Sequence, residues 1–131
     1  MRSLDTNALL GLTLADAPRQ AAIIEALLSD TSQKFAVADM VFAEIVWVLQ
    51  GRTYGYDRQR IATNLQSIID ISQINCNRKL LERAIPIYVK YEKVSFIDAC
   101  LAVYAELNNA EPLLTFDKRL ALALPQTVKG L

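Results

Sequence analysis

Four carboxylates stand where ordinary surface acids seldom do. Asp5 lies in MRSLDTNALL, Glu44 interrupts the apolar run MVFAEIVWVL, Asp98 lies in SFIDACLAVY, and Asp117 in LLTFDKR. No Lys or Arg occurs between Lys34 and Arg52, or between Lys93 and Lys118. Glu44 and Asp98 therefore have no cation on their own segments. A carboxylate withdrawn from water needs a partner, a proton or a metal. Acids gathered at one place raise each other's pKa and call for a counter-charge. A divalent cation supplies it, and oxygen-only donors favour Mg²⁺ or Mn²⁺ over zinc. Mg²⁺ keeps several waters, so few direct carboxylates suffice.

Each acid also has a plain structural role to weigh. Asp5 or Thr6 can cap a helix. Ser95-x-x-Asp98 has the form of a capping box. Asp117 suits a strand-to-helix turn, and Glu44 can be a rim residue at a helix edge. For Glu44 the surrounding run is apolar nearly all round, which predicts a buried helix.

The chain has 131 residues, long enough for one domain with a core of its own. Its hydrophobic fraction is 53% and its charged fraction 21%, which is globular rather than disordered. Lys plus Arg equals Asp plus Glu at 14 each, so binding to nucleic acid through bulk charge is not expected. Histidine is absent, which excludes Ser-His-Asp, Cys-His and HExxH chemistry. Cys76 and Cys100 cannot fill a four-ligand zinc site without histidine, and read as small core residues. Asp5 breaks the first apolar run, so no signal peptide is expected. No apolar run reaches the roughly 18 residues of a membrane span. A cytoplasmic protein is the expectation.

The elements that must position these acids alternate along the chain. Residues 2–5 read as the end of a short strand, followed by a helical segment from Ala8 to Leu12. Pro18 suits the first turn of a second helix, PRQAAIIEALLSD. Lys34 to Ala38 favours a strand, with Asp39 placed to cap the helix MVFAEIVWVLQ. Asp57 precedes the helix RQRIATNLQSII, and Ile71 to Ile74 suits another strand. Arg78 to Lys90 reads as helical despite Pro86, and Ser95 opens FIDACLAVYAELNN. Pro112 to Thr115 reads as a strand, Asp117 as the start of a last helical turn, and Val128 to Leu131 as an edge strand. Helices separating short apolar strands imply a parallel sheet covered on both faces. Ligands in such folds bind beyond the carboxyl ends of the strands, where Asp5 and Asp117 fall.

This arrangement resembles the PIN domain. Asp5-Thr6-Asn7 after a short strand, Glu44 within AEIVWVL, Asp98 within SFIDACLA and Asp117 within LLTFDKRL match that family's four acidic motifs in order, over nearly the whole chain. Arg2 and Ser3 stand where the family is more apolar. The likeness is greatest to the small VapC-type toxins of toxin–antitoxin pairs. It implies a single domain over residues 1–131, three-layer α/β/α with a short central parallel sheet. It implies Mg²⁺-dependent endoribonuclease activity, a homodimer, and neutralisation by a cognate VapB-type antitoxin. Asp5 and Asp98 would be the core metal ligands, with Glu44 and Asp117 completing the acidic pocket.

The expected chemistry is in-line attack of an activated water on an RNA phosphodiester. Glu44 or Asp117 would take the water's proton. Arg52, Arg58, Arg60, Lys118 and Arg119 are candidates for the RNA backbone, with a solvated surface as their ordinary role. Tyr54 and Tyr56 are candidates for stacking on unpaired bases, or for packing on a dimer partner. Three rivals remain open: a PIN nuclease that processes RNA without a toxin role, an idle binding module, and a receiver-like phosphorylation domain. The receiver needs an adjacent acidic pair, but Asp5 is followed by Thr6 and Asn7.

Overall fold

A computed structural model describes residues 1–14 and 16–131. The chain divides into two compact units, Met1–Asn77 and Arg78–Leu131.

In the first unit, β1 (Arg2–Ser3), β2 (Phe35–Ala36) and β3 (Ile74–Asn75) form a parallel sheet in the order β1-β2-β3. Arg2 stands opposite Phe35, and Phe35 opposite Ile74. Parallel neighbours need crossovers, and helices provide them. Helices α1 (Thr6–Thr13) and α2 (Pro18–Ser29) join β1 to β2, while α3 (Asp39–Gln50) and α4 (Arg58–Ile69) join β2 to β3. Pro18 opens α2, where its missing N–H is not needed. Helix α4 buries Ile61, Ala62, Leu65, Ile68 and Ile69, spaced at three and four residues on one face. With Leu9, Phe35, Phe42, Ile45 and Leu49 these residues make the core of the unit.

The second unit begins with α5 (Arg78–Lys90) and α6 (Phe96–Leu107), which pack on each other. Their buried faces carry Leu81, Ala84, Ile85 and Tyr88 on α5, and Phe96, Ala99, Ala102 and Val103 on α6. The Tyr88 and Phe96 rings meet edge to face, 5.7 Å between centroids. Arg83 pairs with Glu106 on the outer side. Strands β4 (Leu113–Thr115) and β5 (Val128–Gly130) pair in parallel around α7 (Lys118–Ala123).

The α/β class expected of the chain holds in both units: short parallel strands joined by helices. Three local expectations are corrected. The strand after α4 lies at Ile74–Asn75 rather than Ile71–Ile74, because the Ile74 N–H turns back to the Ile71 carbonyl. Asp39 does not cap α3. It is the helix's first residue, and Ala38 occupies the cap position without a side-chain bond. Cys76 and Cys100 are not joined in a disulfide, and both are half-buried rather than sealed in the core. Among the described residues, no helix is long and apolar enough to cross a membrane.

Candidate active site

Asp5 follows β1 by two residues and caps α1. Its backbone is extended, and its Oδ1 accepts from the Ala8 N–H at 2.9 Å. That bond satisfies one of the orphan donors of the first turn. Oδ2 stays open to solvent on an exposed residue.

Thr6, the first residue of α1, is only 7% exposed. Its hydroxyl donates to Glu44 Oε1 at 2.7 Å. The α3 carboxylate is thereby fastened to the start of α1, where helix dipole and free N–H groups favour negative charge. The second Glu44 oxygen, Oε2, is left for other work.

Glu44 is not buried, contrary to what the apolar run suggested. Helix α3 buries Phe42, Ile45, Val46 and Leu49 as one stripe. Its other face carries Glu44 between Met40 and Trp47, which are 77% and 74% exposed. The rim position weighed for Glu44 is the correct one, and its neighbours on that face are apolar side chains open to water.

In the second unit, Ser95 caps α6 by accepting from the Asp98 N–H at 3.0 Å. The box is one-sided. The Asp98 carboxylate does not return to the cap, and among the described residues it makes neither a hydrogen bond nor an ion pair. It is half-buried at the third position of the helix. Asp117 does cap α7: its Oδ1 accepts from the Arg119 N–H at 3.0 Å and the Leu120 N–H at 3.2 Å, leaving Oδ2 open. Thr115 supports this turn from behind, its Oγ1 accepting from the Asp117 N–H at 2.9 Å.

The four acids thus divide by chemistry. Asp5 and Asp117 spend one oxygen on their own helices and keep one. Glu44 spends one on Thr6. Asp98 keeps both. Asp5 and Glu44 are drawn together in the first unit through Thr6, while Asp98 and Asp117 belong to the second. Within neither unit do three or more Cys, Asp or Glu side chains of the described residues form a metal cage. The donors that are present are all hard carboxylate oxygens, the chemistry Mg²⁺ and Mn²⁺ take.

Of the basic candidates, Arg52 is exposed in the loop after α3, and Lys118 and Arg119 are exposed at the start of α7. Arg60 lies over the Tyr56 ring, 3.6 Å from its centroid. Arg58 is half-buried at the start of α4. Two residues with a visible part in the site were not singled out from the sequence. Thr6 was considered only as a cap, and its bond to Glu44 joins segments 38 residues apart. Trp47 belongs to the apolar run whose pattern predicts a buried helix, although its spacing of three from Glu44 puts the two on one face.

A family model for the PIN domain matches residues 3–123, a span that contains all four acids. No curated protein matches the chain.

Proposed function

The chain belongs to the PIN domain family, and on that premise we propose that it is a Mg²⁺- or Mn²⁺-dependent endoribonuclease, the toxin of a VapC-type toxin–antitoxin pair. The match from residue 3 to 123 runs through both units and supports reading residues 1–131 as one PIN-like domain. The observation that carries the catalytic reading is the Thr6–Glu44 bond, which holds a second carboxylate at the helix start capped by Asp5.

In this reading Asp5 and Asp98 hold the metal, with Glu44 and Asp117 completing the acidic pocket. Their oxygen-only donor set fits a hard cation. When bound, the metal supplies activation of a water and neutralisation of charge on the phosphodiester. Asp5 offers Oδ2, its other oxygen being fixed by the Ala8 N–H. Asp98 offers both oxygens. Glu44 Oε2 or Asp117 Oδ2 takes the proton of the attacking water. Lys118 and Arg119, next to Asp117, and Arg52 in the first unit offset the acids' repulsion of the RNA backbone. The protein acts in the cytoplasm as a homodimer, and a VapB-type antitoxin neutralises it.

The test is purified protein on total RNA with Mg²⁺, with EDTA, and with Asp98→Asn in place of wild type. Cleavage only by wild type with Mg²⁺ is expected. Full cleavage in EDTA by protein shown to be metal-free overturns the mechanism. Expression of the chain alone is expected to arrest growth of its host, and Asp98→Asn to relieve the arrest. A harmless chain that cuts no RNA ends the toxin reading.

A further inference from the structure

Beyond Glu44, the exposed face of α3 runs into a cavity of about 430 Å³. Trp47, Gln50, Gly51, Arg52 and Tyr54 are among its lining residues. The loop that forms it is built by the backbone. The Gly51 N–H bonds to the Val48 carbonyl at 3.2 Å, the Gly55 N–H to the Gly51 carbonyl at 2.7 Å, and the Tyr56 N–H to the Leu49 carbonyl at 2.9 Å. Gly55 has φ +58°, a conformation that L side chains adopt only under strain, so a glycine closes this turn.

The aromatic side chains here differ in what they have left to offer. Tyr54 is held in place: its hydroxyl donates to Asp16 at 2.8 Å, and its ring meets Tyr56 edge to face at 6.3 Å. Tyr56 is covered by Arg60. Trp47 is 74% exposed, with a broad π-face turned to water on a helix whose other side is core. Beside it, Arg52 makes no ion pair among the described residues. An open indole next to an unpaired guanidinium matches a flat base and its phosphate. An apolar side chain from a protein would cover Trp47 and leave Arg52 without an anion.

We propose that this cavity receives one unpaired nucleobase of single-stranded RNA, stacked on Trp47, with Arg52 on the adjoining phosphate. This deepens the nuclease reading and rests on it for the choice of ligand. Trp47 lies within one helical turn of Glu44, about 4.5 Å along the axis. The stacked nucleotide is therefore a near neighbour of the bond that Glu44 would act on, and the subsite selects unpaired over duplex RNA. Stacking tolerates any base, so the selectivity is for strandedness rather than sequence.

Trp47 is the chain's single tryptophan, so its fluorescence reports this site alone. The intact protein is titrated in EDTA with a short mixed-sequence single-stranded RNA, with the same RNA as a duplex, and with an abasic ribose-phosphate strand of equal length. Quenching by the single strand, and by neither other probe, is expected. Trp47→Ala should bind the single strand about 5- to 100-fold more weakly, and no better than the abasic strand, while Trp47→Phe retains most of the affinity. Arg52→Gln should weaken binding and reduce the slope of log affinity against log salt by about 0.7. Circular dichroism establishes that each variant is folded. Emission unmoved by single-stranded RNA, with Trp47→Ala binding as wild type does, overturns the proposal. So does emission that shifts with protein concentration alone, which would make this face a contact between copies. Cleavage in Mg²⁺ by both wild type and Trp47→Ala, without quenching, removes the subsite and leaves the nuclease. Quenching without cleavage does the reverse.

Discussion

The Thr6 hydroxyl sits 2.7 Å from Glu44 Oε1 and links the first residue of α1 to the middle of α3. Thr6→Val keeps the shape and deletes the donor. We expect a loss of about 1 kcal/mol in stability, the ordinary worth of such a bond. Cleavage should fall in kcat more than it rises in KM, because Glu44 loses its orientation while RNA contacts elsewhere persist. Thr6→Ser should restore both. Equal kcat for Thr6→Val and wild type would show that the bond does not position Glu44.

Capping separates the acids in metal-free protein. Asp5 and Asp117 each accept from the first turn of their own helix, so Asp5→Ala and Asp117→Ala should each cost about 1 kcal/mol. Asp98 caps nothing. Asp98→Ala and Asp98→Asn should lose at most a few tenths, the worth of a negative charge near a helix start. Urea melts in EDTA read the difference, and all these variants should lose cleavage. If Asp98→Ala melts as low as the capping variants, Asp98 is a structural residue.

Metal binding should show in stability as well as in cleavage. A ligand that binds only the folded chain stabilises it in proportion to its saturation. Mg²⁺ should therefore raise the Tm of wild type and raise that of Asp98→Asn less. Zinc should not replace it in cleavage, because the chain has no histidine and only two cysteines. Equal Mg²⁺ shifts in both proteins would remove Asp98 from the ligand set.

The loop behind Trp47 should respond to alkali. Donation to Asp16 raises the Tyr54 phenol above its usual value, with desolvation and the negative charge of Asp16 acting in the same direction. A phenol raised on folding adds stability that is fully present below the unfolded value of about 10 and is lost as pH rises through the folded value. Subtracting the ultraviolet titration of Tyr54→Phe from that of wild type should leave one phenol that ionises above about 10. A difference curve centred at or below that value would mean that the bond is absent in solution.

Much of this architecture was legible because cap chemistry is local. Asp57, Ser95 and Asp117 each announce a helix within four residues, and each does accept from the backbone there. Asp39 carries the same signal and fails, since Ala38 already has the extended backbone of a cap. Burial was less legible. The run around Glu44 looked like an interior helix, yet apolar residues on all sides do not say which side finds a neighbour, and Met40 and Trp47 face water. Position in the sequence singles out the four acids as candidates. It could not show how each divides its oxygens between helix and solvent, because that depends on side-chain torsions and on Thr6, a contact 38 residues distant from Glu44.

The capped oxygens of Asp5 and Asp117 bear on how readily these arms can serve a ligand. A free surface carboxylate rotates among several rotamers and must give up that freedom when it is bound, at roughly 0.5–1.5 kcal/mol for a mobile side chain. Asp5 and Asp117 have already surrendered theirs during folding, because the helix N–H groups grip one oxygen and aim the other. The same bond that ends a helix therefore makes each acid a rigid pointer, preorganised before any cation or substrate arrives.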